Sequence, residues 1–172
     1  MAASRKFPVR QISLFVLAAA IAVAAYFAIV QAPEAPQVQF KTLAGEKIAT
    51  SDLRGKVVLV NFWATSCVTC MAEMPRIIDT YNKFKAQGFE TVAVAMDYDP
   101  PNFVLNYAQQ KQLPFKVALD VDGSVAKSFG NIRLTPTTFI IDKKGRIIKQ
   151  FLGEPDFGQL HALLEQKLKE AA

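Results

Sequence analysis

The residues best suited to chemistry are the chain's two cysteines, Cys67 and Cys70, in the stretch Trp63-Ala-Thr-Ser-Cys67-Val-Thr-Cys70-Met-Ala-Glu73-Met-Pro75. An apolar run at residues 57–62 precedes them and reads as a buried strand. Behind them Met71, Met74, Ile77, Ile78, Tyr81 and Phe84 recur at spacings of three and four, the signature of one helix face. Cys67 therefore falls at a strand-to-helix turn, where the first backbone N–H groups have no intrahelical partner and carry partial positive charge. A thiolate is stabilised there, and Cys67 is expected to act as a nucleophile near neutral pH. Cys70 follows one turn later, within disulfide reach of Cys67. Two thiols that can exchange a disulfide with a partner make a redox device.

Competing chemistries are weaker. Structural zinc needs about four ligands, whereas the chain offers these two cysteines and a single histidine, His161, far along the sequence. No metal site is expected, although copper held by Cys67, Cys70 and His161 stands as an alternative. Thr65-Ser66-Cys67 faintly resembles a Thr-x-x-Cys peroxide pocket, one residue short, so a thiol peroxidase is a further alternative. No nucleotide loop is visible and no organic cofactor is expected.

The elements that must position the cysteines can be read in order. Residues 38–41 and 47–48, around a turn at Ala44-Gly45, suggest a small hairpin. After the cysteine helix, which should stop near Gln87-Gly88, residues 89–96 read as a second buried strand. A helix over about 103–111, a short strand within 114–119 and a short helix within 122–129 follow. Residues 137–141 and 146–151 form a hairpin about the Asp142-Lys-Lys-Gly145 turn. The last helix begins near Asp156 and buries Leu160, Leu163, Leu164 and Leu168. Strands alternating with helices describe an α/β sandwich.

At the N-terminal end, residues 12–30 carry no charge. About 19 residues at ~1.5 Å each match the roughly 30 Å of a bilayer interior. Arg5, Lys6 and Arg10 precede the run and no acid occurs before Glu34, so the positive-inside rule leaves the N-terminus in the cytoplasm and carries the rest across. A cleaved signal peptide is the rival. Ala22-Val23-Ala24 would suit a peptidase, but apolar residues continue to Val30 and Pro33 follows closely. The expected organisation is a cytoplasmic N-terminus (1–11), a transmembrane anchor (12–31), a linker (32–38) and a domain (39–172). The chain has 20 basic and 15 acidic residues, a net charge of +5. Because three of the bases flank the apolar run, the remainder is nearly balanced, and nucleic acid is not an expected partner. Exported proteins commonly use cysteines as staples; here the only pair lies in the reactive motif, so the fold must rely on its core.

The cysteine motif, the segment Leu134-Thr135-Pro136-Thr137-Thr138-Phe139-Ile140-Ile141-Asp142 and the closing hairpin and helix together resemble the thioredoxin superfamily, in particular its membrane-anchored thiol–disulfide oxidoreductases of the TlpA and ResA type. The resemblance covers about residues 40–169. It implies a thioredoxin-like sandwich with an N-terminal β-hairpin and an inserted helix–strand element, preceded by one transmembrane helix. By the same resemblance Cys67 is the attacking cysteine, Cys70 the resolving one, and Pro136 a cis-proline that presents the backbone of Thr135 to a substrate chain. Glu73 matches an active-site glutamate that could move protons to or from Cys70. Trp63 matches a tryptophan packed beside the site, either as a wall for substrate or as plain core.

Some positions depart from the pattern. Asn61 stands where cytoplasmic thioredoxins carry a buried aspartate, and Ser66 replaces the usual tryptophan before the first cysteine. Val68-Thr69 between the cysteines supplies no positive charge to stabilise a thiolate heavily, which favours a reductant over a strong oxidant. The implied setting is a single-pass protein of the cell inner membrane, its catalytic domain on the periplasmic or extracytoplasmic side. The implied partners are exported proteins with disulfides, such as cytochrome c apoproteins or copper-site proteins, and a membrane-embedded thiol donor.

Overall fold

In a computed structural model of the 172-residue chain, the described residues are 15–22 and 32–171. The chain divides into two units, Met1–Ala32 and Pro33–Ala172. In the first, residues 15–22 are helical and exposed; the rest of the expected anchor lies outside the described residues. No described helix is long and apolar enough to cross a membrane.

The second unit is built on a five-stranded mixed sheet whose strands lie in the order 116–119, 89–95, 57–63, 137–141 and 147–152. Its strands are β3 (Val57–Trp63), β4 (Phe89–Ala95), β5 (Lys116–Leu119), β6 (Thr137–Ile141) and β7 (Ile147–Leu152). A two-stranded hairpin, β1 (Gln39–Lys41) and β2 (Lys47–Ala49), precedes them. The helices are α1 (Val68–Phe84), α2 (Pro101–Gln110), α3 (Ser124–Ser128) and α4 (Phe157–Lys169). Central β3 runs parallel to β4 and antiparallel to β6. Every residue of β3 and β4 is buried, which is why both read as continuous apolar runs rather than alternating ones.

Strand parity divides the core. Val57, Leu59 and Trp63 pack with Met74, Ile77 and Phe84 of α1 and Leu160, Leu164 and Leu168 of α4. Val58, Val60 and Phe62 point the other way, toward Phe40 of the hairpin and Val125, Ala126 and Phe129 at α3. Full burial of each such side chain contributes roughly 1.5–3 kcal/mol, so the β3 sequence alone fixes both layers. Gly88 ends the cysteine helix with φ 90°, after a 3-10 turn over Lys85–Gln87. Asp156 caps α4 by accepting from the Gln159 N–H at 2.9 Å.

Segment 32–38, expected to be a free linker, is instead fastened to the domain. The Pro33 carbonyl accepts from Ile147 N–H and the Ala35 N–H donates to Gly145 O, both at 2.8 Å. Thr50 Oγ1 donates to Pro36 O at 2.9 Å, and Ala35 is buried. The stretch lies beside the start of β7, where Glu34 bridges Arg146, and the second unit begins at Pro33.

Candidate functional site

The cysteine turn grows out of the C-terminal end of β3. Cys67 N–H closes it by donating to Ala64 O at 3.1 Å. Cys67 is the N-cap of α1, with extended backbone (φ −88°, ψ 107°), and its sulfur accepts from the Cys70 N–H at 3.2 Å. The expected meeting of a sulfur with an unsatisfied helix N–H is therefore present. A disulfide joins the two cysteines across a Cα separation of 5.2 Å, so the chain is in its oxidised form. Cys67 is partly exposed and Cys70 wholly buried. Only one of the two sulfurs can meet a large partner.

The second wall is the segment before β6. The Thr135–Pro136 peptide bond is cis, and Thr135 O lies 3.5 Å from Cys67 Sγ. Pro136 is buried and its carbonyl accepts from Gly153 N–H at 2.8 Å, which ties the segment to the end of β7. The structure thus brings Cys67, Cys70, Thr135 and Pro136 together.

Glu73 follows Cys70 by one turn on the buried side of α1 and is fully buried. Desolvation pushes its pKa up to about 7; the hydrogen bond from Asn61 opposes the rise and the charge of Glu154 adds to it. Asn61 Nδ2 donates to Glu73 Oε1 at 3.0 Å and to Thr138 Oγ1 at 2.9 Å. Strand register explains the trio, because Asn61 of β3 pairs with Thr138 of β6 and both face α1. Glu73 Oε2 and Asn61 Oδ1 are buried without a partner among the described residues. Two acceptors in that state favour a proton on the carboxyl, which turns one of them into a donor.

Trp63, expected beside the site either as a wall for substrate or as plain core, is core, which corrects the substrate-wall reading: it is 0% exposed and packs on Tyr107, ring centroids 5.5 Å apart. Its position in β3 gives it the parity of Val57 and Leu59, so the indole points into the helix-side core and offers no surface to a substrate. His161 lies elsewhere: its Nε2 meets Thr80 Oγ1 at 2.9 Å and its ring packs edge-on against Phe84 and Phe157. Among the described residues no group of three His, Cys, Asp or Glu side chains is placed to hold a metal. The Thr65 hydroxyl, on which the peroxidase alternative rested, donates to Asp99.

Two participants escaped the sequence reading. Tyr98, largely exposed, meets Thr135 Oγ1 through its hydroxyl at 3.2 Å, and buried Asp99 holds Thr65. Both sit in the loop after β4, and only their chain position at the end of a strand next to β3 hinted at them. The rim around Cys67 also exposes Val68 and Leu134.

The family model described as Redoxin matches residues 30–164. A thiol–disulfide oxidoreductase ResA from Bacillus thuringiensis is 40% identical over 133 residues, covering 77% of this chain and 76% of the relative. The solution structure of a candidate thioredoxin from Neisseria meningitidis superposes with a TM-score of 0.75 at 40% identity, covering 81% of this chain and 93% of that one. The crystal structure of a candidate thiol:disulfide interchange protein DsbE from Chlorobium tepidum gives a TM-score of 0.73 at 28% identity, with 80% and 97% covered.

Proposed function

The chain belongs to the redoxin family, has a thioredoxin-like α/β fold and is a thiol–disulfide oxidoreductase; from that premise we propose that it reduces disulfides in exported proteins, outside the cytoplasm, with Cys67 as attacking sulfur and Cys70 as resolving sulfur. The observation that carries the assignment of roles is the contrast between a partly exposed sulfur on a helix N-terminus beside Thr135 O and a second sulfur with no exposure at all.

In the proposed cycle the Cys67 thiolate attacks one sulfur of the partner's disulfide, and the other sulfur leaves as a thiolate and takes a proton. The partner's chain lies along Thr135-Pro136. Glu73 accepts the proton of the Cys70 thiol, and the Cys70 sulfur then attacks Cys67 Sγ. The partner's second sulfur departs, is protonated, and Cys67–Cys70 is left as a disulfide. Two electrons have passed to the partner, with one proton from Cys70 by way of Glu73 and the second from water. A carboxyl with a pKa of about 7 suits the middle step, because it is present in both protonation states near neutral pH.

The direction rests on Val68-Thr69, which places no cation beside the thiolate. Export rests on the uncharged run at residues 12–30 behind Arg5, Lys6 and Arg10. We take residues 12–31 as a single inner-membrane anchor, with the domain on the periplasmic or extracytoplasmic side. Return to the dithiol then falls to a membrane-embedded thiol donor, and apocytochromes c and copper-site proteins are the substrate classes implied by kinship with the ResA type.

The test is insulin reduction by the reduced protein, paired with a Cys70→Ser trap. Acceleration of insulin reduction, its loss in Cys67→Ser, and exported proteins held covalently on Cys67 in the trap are expected. Full activity in Cys67→Ser, or a trap holding only cytoplasmic proteins, overturns the reading.

A further inference from the structure

Asp99, 3% exposed, uses both carboxylate oxygens on one residue. The Thr65 N–H donates to Oδ2 and the Thr65 hydroxyl to Oδ1, each at 2.6 Å. These are short contacts, of the kind charge assistance gives, and a buried carboxylate without them would be left unsatisfied. Thr65 stands two residues before Cys67, inside the turn that Cys67 N–H closes on Ala64 O.

The loop that carries Asp99 is itself pinned. Met96 N–H donates to Trp63 O at 3.0 Å and Asp99 N–H to Met96 O at 3.0 Å. Pro100 then caps α2, whose first residue is Pro101, and two prolines in succession leave the backbone little freedom. The residue before Asp99 reaches the other side of the site, where the Tyr98 hydroxyl meets Thr135 Oγ1 at 3.2 Å. Adjacent side chains of one stiff loop therefore hold the two segments that flank the Cys67 sulfur.

We propose that Asp99 is a positioning residue for Cys67, and that together with Tyr98 it sets the gap between the attacking sulfur and the Thr135 backbone on which the substrate lies. The proposal rests on the functional reading given above for Cys67 and Thr135. Sulfur exchange needs an in-line approach of three sulfurs, and displacement of a reacting atom by ~1 Å can lower a rate by about 100-fold. The Asp99–Thr65 pair removes that freedom at the turn, and the Tyr98–Thr135 contact removes it at the opposite wall.

Thr65→Val deletes the hydroxyl bond and leaves every charge in place; Thr65→Ser keeps it; Thr65→Ala serves where valine disturbs packing. Reduced full-length proteins are compared by thermal midpoint, by the rate of Cys67 alkylation with iodoacetamide, and by kcat and KM for insulin reduction. Thr65→Val or Thr65→Ala is expected to slow alkylation and lower kcat by about tenfold, with Thr65→Ser restoring both. Tyr98→Phe, which frees the opposite wall, is expected to raise KM and to lower kcat, and a Tyr98→Phe variant with both values unchanged removes Tyr98 from the device. Folded Thr65→Val and Thr65→Ala that react like wild type, or a Thr65→Ser variant as slow as they are, overturn the proposal. A wild-type protein that fails to reduce insulin overturns instead the functional reading beneath it.

Discussion

Asn61 Nδ2 lies 3.0 Å from Glu73 Oε1, joining the central strand to the cysteine-bearing helix through a carboxyl that no water-exposed surface touches. The contact acts against burial. Desolvation favours the neutral acid, whereas a donor hydrogen bond favours the carboxylate, and the balance leaves Glu73 near 7 rather than 4.5.

Stability should consequently fall as pH rises from about 4.5 to about 7. In that window the folded chain holds a proton on Glu73 that the unfolded chain has released, so folding is favoured on the acid side and the advantage is lost as pH passes the folded value. At about 1.4 kcal/mol per pKa unit, the shift corresponds to roughly 3 kcal/mol. Glu73→Gln removes this dependence, and urea unfolding at pH 4.5, 6 and 8 should show its stability changing less with pH than wild type and exceeding it at pH 8.

Replacing Asn61 with alanine removes the one hydrogen bond that lowers the Glu73 value. Its midpoint should move further up, as read by NMR titration of the carboxyl carbon. Glu73 Oε1 also loses its donor, so a stability loss of about 1–3 kcal/mol accompanies the shift. An unchanged midpoint would mean that Asn61 does not control the protonation of Glu73.

Trp63, as a core residue, should reveal itself in stability rather than in turnover. Trp63→Ala is expected to lower stability by about 3–5 kcal/mol, and Trp63→Phe to retain insulin reduction with a lower thermal midpoint. Loss of activity in a stably folded Trp63→Phe would restore the tryptophan as a wall of the site.

Much of this was legible because the signals are local. The apolar β3 run, the periodicity behind Cys70 and the Gly88 stop each lie within one element, and Cys67 on the helix start follows from their junction. The covered face of α1 was less legible, because Glu73 and Thr80 are polar and yet lie on it. Each has a partner remote in sequence: Glu73 has Asn61, 12 residues away, and Thr80, which also donates to the Arg76 carbonyl one turn back, has His161, 81 residues away. The Asp99–Thr65 pair spans 34 residues, and no periodicity reports such a contact. Trp63 could have been placed, since period-two counting from Val57 already turns it inward. The docking of residues 33–35 could not, because its partners, Gly145 O as acceptor and Ile147 N–H as donor, lie far along the chain.

The central claim is that the backbone at the start of α1 makes one particular sulfur acidic and accessible. Its most direct measurement is the pH dependence of iodoacetamide alkylation in the fully reduced chain, with the modified cysteine identified by peptide mass. The account predicts modification at Cys67 first, with a midpoint below the ~8.5 of free cysteine. A midpoint at or above that value, or first modification at Cys70, would contradict it.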